Sequence, residues 1–377
     1  MNDDKNYDDS IKQDKIDSTL IEIRKDPYNF ICNYAESVYL HIGKKVFEIL
    51  ALMPVSLIIP DIPYMGKKVR SNINCLFLAN SGQGKSSIAK LFSTMTLNPL
   101  EVESITPAGL EGIIQAKPKF TMVVGDFARM ARDPIIIKIL EGVLGEEKRI
   151  KRQTARKDVD IDTEGCCLLC GTPQDLSHYL SGGLLFRLNP LIILTSSSEH
   201  SDIGNHIKNR MGEDGDEDIR EEAIGLFYKE LEMSQIESHP TIPKITGYMI
   251  PKRFKDKAYE EWDKRTKPMV KETNFTFIRG FQEFFRFLIS HAFLNIHNRK
   301  VIDGKLYPNQ EDFDVALRLM KNTIGIQYDI LRTERFAKSL KNLSELKSVL
   351  SSNIDSKYKE IIKNLVKVEN GKIKMKK

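Results

Sequence analysis

The stretch between Asn74 and Phe92 carries residue types that can bind a phosphate chain. Asn80, Ser81, Gly82, Gln83 and Gly84 separate an apolar run from Lys85, Ser86 and Ser87. Small residues let backbone N–H groups surround phosphate oxygens, the lysine reaches the terminal phosphates, and the first hydroxyl holds Mg²⁺. The spacing therefore predicts that residues 80–87 bind ATP and Mg²⁺. The alternative is a Gly-Lys-Ser loop that only turns the chain.

The elements on either side favour the first interpretation. The apolar run Cys75 to Ala79 predicts a buried strand, and SSIAKLF predicts a helix that begins directly after the loop. A strand, a loop and a helix in this order form a P-loop, and the helix N-terminus adds positive potential for an anion. Ala79 occupies the position where the motif usually has glycine, which is a common relaxation.

A second apolar run, Phe120 to Val124, ends in Gly125-Asp126-Phe127. In P-loop ATPases we expect the strand beside the P-loop strand to end in a carboxylate that acts on Mg²⁺, often followed by a glutamate that polarises water. Only one carboxylate is present here. Asp126 either lies on the metal side, with Phe127 replacing the glutamate, or fills the glutamate position, with Gly125 in the metal position. Either register predicts weaker hydrolysis than a complete acidic pair.

Two further strands are predicted, from Gly165 to Gly171 and from Leu191 to Leu194. The first ends in Thr172, which would sense the γ-phosphate or be an ordinary turn residue. Its Cys-x-x-Cys has no second pair at metal spacing, which favours buried thiols over zinc. Between the second and third strands lies a strongly basic segment, which predicts a β-hairpin with a basic tip or a solvated loop. Its basic residues are Lys148, Arg149, Lys151, Arg152, Arg156 and Lys157.

The composition is that of a soluble globular protein, with 41% hydrophobic and 29% charged residues. The net charge of +5 does not by itself argue for nucleic acid. Because no apolar run is long enough to span a bilayer and the N-terminus lacks the pattern of a signal peptide, we expect no membrane contact and a cytoplasmic location.

Four regions are expected along the chain. Residues 1–26 are polar and Asp-rich, which predicts a disordered acidic tail. Residues 27–235 form the α/β core, with an exposed acidic linker from Glu213 to Glu222, and residues 236–330 form an all-α lid rich in lysine and phenylalanine. Residues 331–377 form a helical, basic tail, in which Asn370-Gly371 predicts a hairpin. This tail is either a reduced winged helix or a frayed end.

Taken together, these features resemble the ATPase core of the minichromosome maintenance (MCM) helicases, a family of the AAA+ class, from about Asp26 to Ile324. The segment AESVYLHIGKKVFEILALM is similar to the one that precedes the MCM P-loop, and GDFARM is similar to the end of the acidic strand. The resemblance implies that Asp126 takes the place of the catalytic glutamate. It also implies that Thr172 is the first sensor residue, where asparagine is usual.

The same resemblance extends to the later segments. LLFRLNPLIIL is similar to the arginine-finger segment, which implies that Arg187 acts on ATP held by the adjacent subunit. FIRGFQEFFRFLISHAFLN is similar to the lid and gives Arg279 the second sensor role. The basic segment corresponds to the DNA-contacting hairpin, so Lys148, Arg149, Lys151 and Arg152 would contact phosphates without reading sequence.

The resemblance implies an ATP- and Mg²⁺-dependent DNA motor of replication. It would be a homo-oligomer, expected as a hexameric ring, that moves single-stranded DNA through its pore. The chain has no room for the family's N-terminal DNA-binding and zinc-containing domain, so we expect a compact relative such as mobile elements or viruses encode. One alternative is an ATP-gated assembly or loading protein that hydrolyses slowly. Another is a nucleotide kinase, which would leave the basic hairpin and the Arg187 segment unexplained.

Overall fold

A five-stranded parallel β-sheet flanked by helices forms the centre of the protein in a computed structural model. The structure describes residues 2–39, 42, 44–64, 66–80, 82–153, 158–172, 184, 187–193, 208, 217–273, 277–339, 366–369 and 372–375. Its helices are α1 (Asn2–Lys25), α2 (Pro27–Val38), α3 (Lys44–Leu50), α4 (Met53–Ser56), α5 (Lys85–Met95), α6 (Pro107–Ala116), α7 (Phe127–Met130), α8 (Pro134–Val143), α9 (Glu217–Ile236), α10 (Lys252–Thr273), α11 (Ile278–Leu294) and α12 (Gln310–Ser339).

The strands fall into the central sheet and four small ones. They are β1 (Ile62–Tyr64), β2 (Lys67–Val69), β3 (Cys75–Ala79), β4 (Pro99–Val102), β5 (Lys119–Val124), β6 (Arg149–Gln153), β7 (Asp158–Asp162), β8 (Glu164–Gly171), β9 (Asn189–Ile193), β10 (Gly247–Tyr248), β11 (Lys300–Ile302), β12 (Lys305–Tyr307), β13 (Val366–Glu369) and β14 (Lys372–Met375). The central sheet has the order β4-β5-β8-β3-β9, with every neighbouring pair parallel.

The four predicted core strands are confirmed: the bounds of β3 are as predicted, and those of the other three differ by one or two residues. Their side chains are apolar on both faces because helices cover both sides of a parallel sheet. All five residues of β3 are buried, and β8 is buried from its second residue onward. The apolar runs could therefore be identified from the sequence without any alternation of polar residues.

The position of β5 corrects one expectation. We expected the strand that ends at Asp126 to lie beside the P-loop strand, but β8 lies between β3 and β5 and pairs with both. The physical reason lies in the connections between the strands. After β3 the chain crosses to the edge of the sheet at β4, and it then returns through β5 to β8, which occupies the position beside β3. Thr172, directly after β8, therefore follows one of the two strands that pair with β3.

The connections define a crevice at the carboxyl ends of β3 and β8. The chain leaves β3 towards β4 and leaves β8 towards β9, so the two connections run in opposite directions across the sheet. Right-handed crossovers place such connections on opposite faces. The carboxyl ends of adjacent strands with this arrangement are the usual ligand site of an open α/β sheet.

The predicted disorder of the acidic tail is wrong, and residues 217–222 of the predicted acidic linker are helical, whereas residues 213–216 lie outside the described residues. The tail forms the helix α1, and the second half of the linker begins α9, which packs along α1. Ile16 and Ile23 of α1 are buried, and Arg24 Nη2 lies 2.9 Å from Glu230 Oε2. Each segment has too few apolar residues to order itself, but together they cover a shared apolar strip.

The lid is not all-α. It contains α10, α11 and α12, and also a small sheet in which β12 pairs with β10 and β11. Helix α12 runs through the boundary that we expected at residue 330. At its start, the fully buried Asp312 accepts hydrogen bonds from Arg299 and lies 2.6 Å from His291 Nδ1. This network holds α11 against α12.

The two predicted hairpins are confirmed as antiparallel strand pairs. Strand β6 pairs with β7, and β13 pairs with β14 with Glu369 opposite Lys372. Residues 154–157, which include the predicted tip residues Arg156 and Lys157, lie outside the described residues, as do Asn370-Gly371 and residues 340–365, where a winged helix would have to form. Among the described helices, none has the length and apolar composition needed to cross a bilayer.

Candidate nucleotide-binding site

The loop after β3 has the backbone of a phosphate-binding turn. Gly82 and Gly84 both have φ of +79°, in the left-handed region where a side chain costs about 1–2 kcal/mol. Gln83 N donates to Asn80 O over 3.2 Å, and Asn80 N donates to Gln83 Oε1 over 2.8 Å. Gly84 caps α5, whose first N–H groups have no partner within the helix. The loop and the helix start together offer an anion site.

Lys85 is turned back onto this loop. Its Nζ donates to Ala79 O over 2.9 Å and to Asn80 O over 3.0 Å. Burial raises the pKa of the Cys170 thiol in β8 to about 12, while the positive charge of Lys85 acts in the opposite direction. The ammonium group therefore lies at the carboxyl ends of β3 and β8, where the terminal phosphates of a nucleotide in the loop would be.

The hydroxyl residues at the start of α5 face outward. Ser86 and Ser87 are exposed, as is Gly82, whereas Ser81 lies outside the described residues. The hydroxyl of Ser86 and the exposed carboxylate of Asp126 are hard oxygen donors of the kind that Mg²⁺ prefers. In the described part of the chain, no group of three His, Cys, Asp or Glu side chains could hold a metal by itself. The donors therefore fit Mg²⁺ that is bound mainly through phosphates.

The end of β5 presents one carboxylate to this crevice. Phe127 is completely buried, Gly125 is partly buried, and Asp126 is exposed. A carboxylate at position 127 would lie in the apolar core, so of these three positions only 125 and 126 can face a ligand. A Cβ atom built on Gly125 meets nothing within 4 Å, so the missing side chain leaves open space.

Thr172 lies between the P-loop and Asp126. Gly171 is opposite Leu78 of β3, and Leu169 is opposite Val124 of β5, so Thr172 follows the central one of three strands. Its side chain is half-buried. The structure thus brings Lys85, Asp126 and Thr172 to one edge of the sheet, as the sequence predicted.

Arg187 and Arg279 lie at the opposite edge of the sheet. Arg187 precedes β9, whose first residue, Asn189, is opposite Cys75 at the amino end of β3. Its Nη1 donates to Glu141 O over 2.6 Å. Burial lowers the pKa of Arg279, and the positive charges of Arg187 and Arg286 lower it further. Neither guanidinium forms an ion pair with any residue that the structure describes.

A network of charged side chains lies near Arg279; Arg286 and Glu283 are buried in it, and Glu146 is exposed. Glu146 lies 2.7 Å from Arg286 Nη2 and accepts the N–H of Arg70 over 2.8 Å. Arg286 also donates to Arg70 O and pairs with Glu283, whose other oxygen accepts Asn189 Nδ2 over 3.0 Å. Sequence reasoning missed Arg70, Glu146 and Glu283, because isolated charges give no signal before the elements that bury them are known.

Three of the four hairpin residues that we expect to contact DNA phosphates are paired with carboxylates in this structure. Lys148 Nζ lies 2.9 Å from Asp61 and 3.1 Å from Glu164, and Arg149 forms two hydrogen bonds with Asp160. Arg152 lies 2.6 Å from Glu111.

The exposed face of this hairpin carries mixed charge. Arg149, Lys151 and Gln153 of β6 lie on this exposed face. The facing strand, β7, presents Asp158, Asp160 and Asp162. Lys151 forms no ion pair within the described part of the chain. The described hairpin is therefore not a positive patch by itself, because acidic residues of β7 face the basic residues of β6.

Comparison with known proteins adds no assignment. A scan against models of protein families finds no match to this chain. A search of curated proteins likewise finds no similar sequence.

Proposed function

We propose that this chain is a P-loop ATPase of the AAA+ class that assembles as a ring and hydrolyses ATP between subunits. The observation that carries the proposal is the division of the candidate residues between the two ends of one sheet. Lys85, Asp126 and Thr172 share the carboxyl edge, and Arg187 and Arg279 share the amino edge. Such a division suits a site that is completed by a neighbouring copy, because a head-to-tail contact joins opposite faces of successive subunits.

Each residue has a distinct task in this proposal. The loop N–H groups and Lys85 bind the phosphate chain, and the lysine exchanges its two carbonyl acceptors for phosphate oxygens. Ser86 and Asp126 would hold Mg²⁺, which neutralises charge on the β- and γ-phosphates. Asp126 also orients the attacking water, and Thr172 contacts the γ-phosphate. Arg187 and Arg279 of the adjacent subunit stabilise the charge that develops in the transition state.

Single-stranded DNA is the proposed cargo of this motor. The hairpin of β6 and β7 would contact it through Lys151 and through the connection that carries Arg156 and Lys157. Phosphate contacts of this kind are independent of sequence and strongly weakened by salt. The paired Lys148, Arg149 and Arg152 contribute only after they exchange their carboxylate partners for phosphates.

A second candidate function is an ATP-gated assembly or loading protein that hydrolyses slowly. Two observations favour it: the single carboxylate at the end of β5 and the neutralised face of the hairpin. Such a protein needs nucleotide binding and a partner surface but neither rapid turnover nor a free path for DNA.

The experiment that separates the two is ATP turnover by the purified chain, with and without single-stranded DNA, over a range of protein concentrations. Lys85→Ala and Arg187→Ala are measured beside it. Turnover that rises with DNA and with concentration, and is lost in both variants, supports the motor. If the wild type binds ATP but turns it over no faster than Lys85→Ala, the motor is excluded and the loading function takes its place.

A further inference from the structure

A cavity lies at the amino ends of β5 and β8, away from the candidate ATP site. Its volume is about 320 Å³, at the lower end of the range for small-molecule sites. Lys119 and Glu164, which are opposite each other at the starts of these two strands, both line it. The P-loop lies beyond the opposite ends of the strands, and the six residues of β5 alone span about 17 Å. The two sites are therefore separate.

The lining of the cavity combines apolar, polar and charged residues. Residues 57–60 and Ile245 are its apolar members, and Ser71, Asn72 and Gln235 are its neutral polar members. Its charged members are Lys68, Lys119, Lys148 and Lys244 and the carboxylates of Asp61 and Glu164. Four ammonium groups against two carboxylates leave a lining charge of 4 − 2 = +2.

The lysines differ in how far they are neutralised. Lys148 lies between the two lining carboxylates, at 2.9 Å from Asp61 and 3.1 Å from Glu164. Lys119 lies 3.5 Å from Glu232, a weaker contact outside the lining. Lys68 and Lys244 are exposed at the rim and form no ion pair with any described residue. An anion that enters therefore meets two cations without partners.

The backbone at Lys148 is strained. Its φ is +52°, a left-handed conformation that is unfavourable for a non-glycine residue. The conformation turns the chain between Gly145 and β6, and Thr163 N donates to Lys148 O over 2.8 Å. Strain of this kind at a cavity wall is a recurrent feature of ligand sites.

From this arrangement we infer that the cavity binds the phosphate of a nucleotide unit; the nucleotide as the source of that phosphate rests on the proposed function. Lysine binds phosphate as a point charge, and lysines are the cations among the described residues that line the cavity. The terminal phosphate of a free nucleotide carries a charge of about −1.5 to −2, and each phosphodiester of a strand carries about −1, so the two exposed lysines can balance either group. The nucleotide unit is either free or part of a single strand, and both present anionic phosphate oxygens.

The test uses the full-length chain with Lys85→Ala, so that the P-loop does not contribute. A fluorescent oligothymidylate and thymidine monophosphate are the two probes, each measured between about 50 and 200 mM salt. The double variant Lys68→Ala/Lys244→Ala is compared with Lys67→Ala, which removes the exposed neighbouring lysine of β2 that does not line the cavity. Thermal unfolding confirms that each variant is folded.

We expect the double variant to bind the oligonucleotide about tenfold more weakly, with a salt slope that is smaller by about 1.4 for two lost contacts. Lys67→Ala should bind as the parent does. A loss for the oligonucleotide alone identifies a strand as the source of the phosphate, and a loss for the monophosphate as well identifies a free nucleotide. Equal binding by the double variant and Lys67→Ala overturns the inference. ATP binding by the chain with Lys85 intact tests the proposed function separately.

Discussion

Mixing two inactive variants tests whether Arg187 acts on ATP held by a neighbouring subunit. Arg187 precedes β9, while the ammonium of Lys85 lies beyond the carboxyl end of β3. The two strands are in register from Cys75–Asn189 to Ala79–Ile193, and this length alone is about 13 Å. An arginine at one end cannot reach phosphates at the other end of its own sheet. Any effect of Arg187 on hydrolysis must therefore come from another copy.

The structure sets the size of the expected effects. Arg187→Ala removes one hydrogen bond to Glu141 O, which costs about 1 kcal/mol, and relieves repulsion on Arg279. The variant should therefore fold, while loss of a trans-acting arginine lowers turnover by about 10³–10⁵. In an equal mixture with Lys85→Ala, about one quarter of random head-to-tail interfaces join an intact P-loop to an intact arginine. Turnover should recover to about one quarter of the wild-type value.

The assay is steady-state ATP turnover by each variant and by subunits that are co-expressed in equal amounts. A parallel mixture of Lys85→Ala with Arg220→Ala, an exposed arginine on α9, shows how much activity dilution alone leaves. A mixture that stays as inactive as its two components would refute action between subunits, and so would an Arg187→Ala variant that is fully active alone.

Three further predictions follow from buried or open positions. Gly125→Asp should raise ATP turnover by at least about tenfold, because a carboxylate on the metal side stabilises charge, whereas Gly125→Ala should not. Asp312→Ala should lower the urea-measured free energy of unfolding by about 3–5 kcal/mol, because it strands a buried histidine and arginine. Ile23→Ala should cost about 2–5 kcal/mol and hasten proteolysis of α1, unlike Ile21→Ala at an exposed site on the same helix. An unchanged ATP turnover of Gly125→Asp would contradict the first prediction. An unchanged free energy of unfolding of Asp312→Ala would contradict the second, and an unchanged cleavage rate of Ile23→Ala the third.

The contribution of Asp312 to the free energy of unfolding should also depend on pH. Burial by itself raises the pKa of this carboxyl, but hydrogen bonds from His291 and Arg299 outweigh it and lower the pKa below the usual value. A carboxyl whose pKa is lower in the folded state stabilises the fold above its unfolded pKa of about 4. The stabilisation is lost as the pH falls through the lower, folded-state pKa. The difference in unfolding free energy between the wild type and Asp312→Ala should therefore shrink in acid, and a constant difference would contradict the assignment.

The network around Glu146 links the hairpin to the lid. Glu146 lies between β6 and α11, and it contacts both Arg286 and the backbone of Arg70. Arg279 lies close enough for the charges of Glu146 and Arg286 to affect its pKa. A movement of the hairpin that displaced Glu146 would therefore act directly on the amino-edge arginines.

The sequence by itself determined the local elements of the site. The loop after β3, the strand before it and the helix after it follow from nearby residues, because small residues, a continuous apolar run and helical spacing act over a few positions. The same holds for the core strand that ends at Thr172 and for the hairpin of β6 and β7. The tail was mispredicted because its order depends on α9, about two hundred positions away in the chain.

Only the tertiary structure decided the neighbours of these elements. The sheet order inserted β8 between β3 and β5, and it placed Arg187 and Arg279 at the edge opposite Lys85. It also paired Arg152 with Glu111 of α6, a contact that the sequence does not indicate. Strand order and ion pairing depend on contacts between segments that are distant in the sequence. The composition of one segment therefore does not show which charged residues of another segment will pair with it.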